Sequence, residues 1–164
     1  MVEVDFSTRS TQPYIDIGLI IVTWADGTKS TGTCSLVGRN DILTAGHCVY
    51  SPDNGGWAES FEFFFGTDYN QSTGQFQSII SEPQYSKWTA TAWTSQIYSD
   101  GNNSTMLQSE SQYDVALIGI DNAIGDTLGW LGLAPQYNGT QVAVAVGYPA
   151  GSTGMMMQTT SVKS

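Results

Sequence analysis

The chain has 164 residues, 40% of them hydrophobic and 12% aromatic, which is apolar material enough for one packed core. Its net charge is −10, and its five basic residues, Arg9, Lys29, Arg39, Lys87 and Lys163, are scattered singly. That pattern argues against tracking a phosphate backbone and against docking on anionic lipid, so neither nucleic-acid nor membrane partners are expected.

No apolar run approaches the roughly 18 residues that a membrane helix needs. The opening Met1-Val2-Glu3-Val4-Asp5 is acidic where a secretory signal is basic. Ser, Thr, Gly, Asn and Gln are abundant and charged residues make up only 12% of the chain, a profile common in exported proteins. An extracellular location is therefore expected, with any signal removed or lying outside these residues.

Strand signals recur along the chain. Residues 14–22 are rich in β-branched side chains, and Ala25-Asp26-Gly27 reads as a turn. A short strand is expected over 33–37, then a turn at Gly38-Arg39-Asn40-Asp41 and a second hairpin arm over 42–45. Ser51-Pro52-Asp53-Asn54-Gly55-Gly56 is loop-like, and strands are expected over 61–65 and 76–80. Residues 88–111 show no period and read mostly as a surface excursion. Further strands are expected over 113–120 and 141–146. Short strands separated by turns indicate an all-β antiparallel barrel or sandwich.

The two cysteines, Cys34 and Cys48, cannot supply four zinc ligands, and with a single histidine a Cys/His cluster is excluded, so no metal or other cofactor is expected. Two states stay open for them: free thiols, or a bridge. A bridge would close a loop of about 15 residues and contribute about 3 kcal/mol.

Chemistry concentrates in two runs. Leu43-Thr44-Ala45-Gly46-His47-Cys48 holds the chain's one histidine at a strand end. A structural histidine is one reading; a proton shuttle, suited to a pKa near neutrality, is the other. Tyr113-Asp114-Val115-Ala116-Leu117-Ile118 places an aspartate at the head of an apolar strand. Asp114 either caps a turn or is drawn inward, where its charge needs donors.

Together these runs resemble trypsin-like serine proteases of the chymotrypsin fold. The Thr-Ala-Gly-His-Cys string, with a cysteine 14 positions before Cys48, is similar to that family's histidine region, and Asp114-Val115-Ala116-Leu117 to its aspartate motif. Gly55-Gly56-Trp57-Ala58, the run from Ala123 to Gly132 and Gly147-Tyr148-Pro149 resemble the bacterial glutamyl-endopeptidase branch. The resemblance implies an N-terminal antiparallel barrel of a two-barrel fold, plus the first one or two strands of the second barrel. It implies His47 as general base and acid, Asp114 as its orienting partner, and a Cys34–Cys48 disulfide.

The same resemblance divides the chain into an N-terminal extension or pro-region remnant (1–12), the barrel (13–130) and the start of a second barrel (131–164). Processing would fall near Arg9. The family's nucleophile sits in a Gly-Asp-Ser-Gly-like turn, which this sequence lacks; Ser152, Ser161 and Ser164 are the serines near the end. A C-terminally incomplete serine endopeptidase is expected, inactive as these residues alone and a monomer at full length, acting on polypeptides. A non-catalytic module on the same scaffold is the alternative.

Overall fold

The computed structural model describes residues 1–70, 72–78, 85–86, 90–94, 111–134, 142–151 and 154–162. In chain order its strands are β1 (Val2–Glu3), β2 (Ile17–Thr23), β3 (Lys29–Leu36), β4 (Asp41–Thr44), β5 (Tyr50–Ser51), β6 (Gly56–Trp57) and β7 (Ser60–Phe65). They continue with β8 (Thr67–Asn70), β9 (Gln75–Ser78), β10 (Tyr85–Ser86), β11 (Ala90–Thr94), β12 (Ala116–Ile120), β13 (Val142–Gly147) and β14 (Met157–Val162). A single helical turn, α1 (Gly125–Leu128), follows β12.

Seven strands form one antiparallel sheet in the order β10-β7-β2-β3-β4-β12-β11. Its two outer strands, β10 and β11, are consecutive in the chain, so the polypeptide links the two ends of the sheet, as a barrel requires. A second sheet, β1-β14-β13, is also antiparallel. The all-β barrel class read from the sequence is the observed one.

β2 pairs along its length with β3, from Ile17↔Ser35 to Thr23↔Lys29, and with β7 on its other edge. The turn between β2 and β3 closes through Gly27 N to Trp24 O and Trp24 N to Thr28 O, while Asp26 Oδ1 accepts from Thr28 N. Gly27 sits at φ 80°, a conformation that costs other residues strain.

Alternation along β2 and β7 feeds two cores. Ile20, Val22, Phe61, Phe63 and Phe65 pack inside the barrel with Leu36, Ile42, Ala116, Ile118 and both cysteines. Ile17, Leu19, Ile21 and Phe64 face outward, yet they too are buried, against Val4, Tyr148 and Met156, which adjoin the strands of the second sheet. β2 is thus covered on both faces, and that is why its sequence is a continuous apolar run rather than an alternating one. Each such side chain contributes about 1.5–3 kcal/mol by leaving water.

The differences from expectation are local. The strand expected over 14–22 begins at Ile17, as β2, because Tyr14–Asp16 forms a 3-10 turn after Pro13. β3 begins at Lys29, earlier than expected, because it follows β2 to its end. The last expected barrel strand begins at Ala116, since Ser111–Tyr113 is another 3-10 turn. Within the expected excursion, β11 is a strand paired to β12, while 95–110 lie outside the described residues, as do 79–80.

The disulfide that the resemblance implied is not formed: Cys34 and Cys48 are buried free cysteines. Burial raises the Cys34 thiol's pKa far above its ordinary value, with Cys48 adding to the shift, so this sulfur stays protonated and unreactive as it stands. Cys48 Sγ occupies the space that a side chain on Gly32 would need, 2.8 Å from where a Cβ would lie.

Asp16 is fully buried and neither carboxylate oxygen has a hydrogen-bond partner. Burial raises its pKa, and the Gln12 amide, which donates to Leu128 O, offsets only part of this. A raised folded-state pKa means that its contribution favours folding below the unfolded carboxylate range and is lost as pH rises through the folded value. Asp16→Asn should therefore gain stability over the parent as pH rises from about 4 to neutrality, read as diverging urea midpoints. Gly32→Ala should cost about 1–3 kcal/mol by overpacking against Cys48 and Ile20, measured by the same denaturation.

Candidate active site

The antiparallel register of β4 and β12 builds the site. Ala116 lies opposite Thr44, so two residues before Ala116 on one strand and two after Thr44 on the other bring Asp114 beside Gly46-His47. His47 rides on a 3-10 turn, Gly46–Cys48, closed by Cys48 N to Ala45 O and Val49 N to Gly46 O. Its neighbours Gly46 and Cys48 point into the core, which leaves the imidazole outside, with its side chain 57% exposed. Asp114 follows the Ser111–Tyr113 turn, and Thr94 Oγ1 donates to Val115 O, holding that backbone from the other side.

The carboxylate grips one residue with both oxygens. Oδ2 lies 2.8 Å from His47 Nδ1, and Oδ1 accepts from His47 N, also at 2.8 Å. Against an ionised carboxylate Nδ1 carries the hydrogen, so Nε2 is the nitrogen left to take a proton. The backbone bond fixes where the turn sits and the side-chain bond fixes how the ring is rotated.

The His47 pKa is pushed up to about 9. The Cys48 side chain is the largest cause; partial burial opposes it, and the further electrostatic influence of Cys48 and then of Asp114 reinforces it. The Cys48 part exists only while that sulfur is free, whereas the Asp114 part persists in either redox state.

Thr33 supports this arrangement from β3 in two ways. Its carbonyl accepts from Thr44 Oγ1 at 2.8 Å, three residues before His47. Its hydroxyl oxygen accepts from Tyr148 N at 2.8 Å, at the end of β13. Gly147 approaches so closely that a Cβ there would lie 2.6 Å from Thr33 Oγ1. Sequence reasoning missed Thr33 and Gly32; the signal was the Gly-Thr-Cys string, whose small first residue faces Cys48.

Both predicted site residues, His47 and Asp114, are therefore brought together. Of the three serines near the end, Ser161 lies in β14 opposite Ala143, and Ser152 and Ser164 lie outside the described residues.

Comparison with known proteins agrees with this geometry. The family model for Trypsin matches residues 18–163. An extracellular metalloprotease of Bacillus subtilis (strain 168) is 31% identical over 129 residues, which is 77% of this chain and 34% of that protein. Among solved structures, a Glu endopeptidase in complex with MPD is similar with TM-score 0.67 and 26% identity, covering 98% of this chain and 66% of the other. The protease Anisep from Arthrobacter nicotinovorans gives TM-score 0.67 at 21% identity, covering 93% and 65%. The chain thus spans about a third of the curated relative (34%) and just under two thirds of these structures (65% and 66%). The likeness to a Glu endopeptidase supports the glutamyl-endopeptidase branch. With the histidine and aspartate in the expected order and contact, and the family model matching from β2 to the end of β14, the chain belongs to the trypsin family, with its chymotrypsin-like fold.

Proposed function

We propose that the protein is a serine-type endopeptidase acting on polypeptides outside the cell as a monomer. The observation that carries the reading is the two-oxygen grip of Asp114 on His47. It supports His47 Nε2 as the base that takes a proton from a serine hydroxyl and returns it to the leaving amine, with Asp114 fixing the tautomer and stabilising the imidazolium. The reading assigns the nucleophile and its oxyanion hole to sequence outside these residues, because no Gly-Asp-Ser-Gly-like turn occurs in them. Residues 13–130 are then the first barrel, and 131–164 begin the second. Likeness to a Glu endopeptidase favours cleavage after acidic residues.

The curated relative is named a metalloprotease, and that name is the relative's. Here Nδ1 of the chain's one histidine is held by Asp114, and among the described residues no group of three His, Cys, Asp or Glu side chains converges. The described residues thus offer no donor set for a resident metal.

The reading also includes closure of Cys34 and Cys48 into a disulfide in an oxidising compartment. Both sulfurs lie in one core, and Cys48 sits over Gly32, two residues from Cys34 on the same face of β3. Closure would remove the Cys48 contribution to the His47 pKa.

Two outcomes follow. In the full-length polypeptide, a phosphonofluoridate should label one serine, and His47→Ala and Asp114→Asn should lower kcat by about ten-thousandfold or more, the losses known for this mechanism. Absence of labelling would instead favour a non-catalytic module. Secondly, a general base works only when neutral, so with free thiols the acid limb of kcat/KM should lie near the His47 value of about 9. Oxidation or Cys48→Ala should move that limb to lower pH, checked by NMR titration of the His47 imidazole.

A further inference from the structure

Arg9 has no accessible surface at all. Its Nε and Nη2 donate to Val4 O at 3.1 and 2.6 Å, and Nη2 also reaches Glu3 Oε1 at 2.9 Å. Nη1 faces Asp68 Oδ2 as an ion pair rather than in an aligned hydrogen bond, and the Phe6 ring lies 5.1 Å from the guanidinium carbon. The other Asp68 oxygen accepts from Met156 N at 2.8 Å, and Val4 N donates to Met156 O at 3.0 Å. β1 pairs with β14 directly beyond this point, Glu3 opposite Met157. Three stretches of chain, 2–9, 67–70 and 154–158, therefore meet at one buried charge pair.

We propose that residues 2–9 are a retained strap that fastens the second sheet to the barrel, with Arg9–Asp68 as its lock. Cleavage after Arg9 then releases the second sheet, and folded chain cannot present Arg9 to a protease, because the side chain that would be recognised is wholly interior. This assigns the N-terminal segment a part in the finished fold rather than a discarded one. The strap acts on the second sheet, which touches the His47 side of the barrel through Tyr148 and Thr33. Arg9 is thus a positioning residue, remote from any reacting atom. The inference stands on packing alone and does not depend on peptidase activity.

The test is amide hydrogen exchange on the 164-residue chain. Removing one partner of a buried pair strands the other charge, so Arg9→Ala should speed exchange in β13 and β14 roughly hundredfold. β2, β3 and β7 should change by less than about threefold if the sheet is released locally. The double variant Arg9→Ala/Asp68→Ala should lie closer to the parent than Arg9→Ala, since no charge is left unpaired. Equal acceleration in β2 and β14, or none in β14, overturns the proposal. Should Arg9→Ala not fold, Arg9→Lys gives the same contrast in milder form. Limited trypsin digestion is an independent readout: cleavage after Lys29 or Arg39 should precede cleavage after Arg9, and attack at Arg9 as fast as at these exposed bases overturns the lock.

Discussion

The structure depends on the burial of β2 from both sides. One face of this strand fills the barrel through Ile20 and Val22, and the other packs Ile17, Leu19 and Ile21 against Val4, Tyr148 and Met156. A one-residue slip in register would exchange the two sets, so each core fixes the alignment that the other requires. Through β3, that alignment reaches β4 and β12, whose register delivers Asp114 to His47. The geometry of the pair is therefore set some distance away, by hydrophobic packing that never touches the imidazole.

Polar contacts refine what packing positions. Thr33 joins the two sheets near the histidine strand by using its carbonyl on one side and its hydroxyl on the other. Arg9 and Asp68 do the corresponding work at the opposite margin of the second sheet. Asp16 is the exception, a buried carboxylate with no aligned hydrogen bond, whose burial the Gln12 amide offsets only in part. An unpartnered carboxyl in a core is more easily tolerated when neutral, which matches the direction of its shift.

Much of this was legible in the sequence, for physical reasons that differ by element. Residues 61–65 alternate a glutamate with phenylalanines, and 14–22 form an apolar run, so both announce strands; the true start at Ile17 was hidden because Tyr14 and Ile15 are equally at home in a buried turn. His47 and Asp114 were identifiable because the residues around them resemble the two motifs of the trypsin-like family. β1 was not legible, since two residues paired to a strand more than 150 positions away carry no periodicity. The burial of Arg9 was not legible for a related reason: a lone arginine near a terminus carries no sign of Asp68, the distant partner that meets it inside. The bridge between Cys34 and Cys48 was an expectation of kinship, and the redox state of two buried thiols is not written in spacing.

The burial of Arg9 with Asp68 removes charge as a balanced pair, so the molecule seen from solvent keeps its acidic excess. One of only five positive charges is withdrawn to the interior, while most of the fifteen acidic residues remain outside it. An approaching acidic peptide meets repulsion that reaches about 8 Å at physiological ionic strength, and a basic one meets attraction over the same range. Added salt compresses that field. The lock thus joins two sheets without altering the field that the exposed carboxylates set around them.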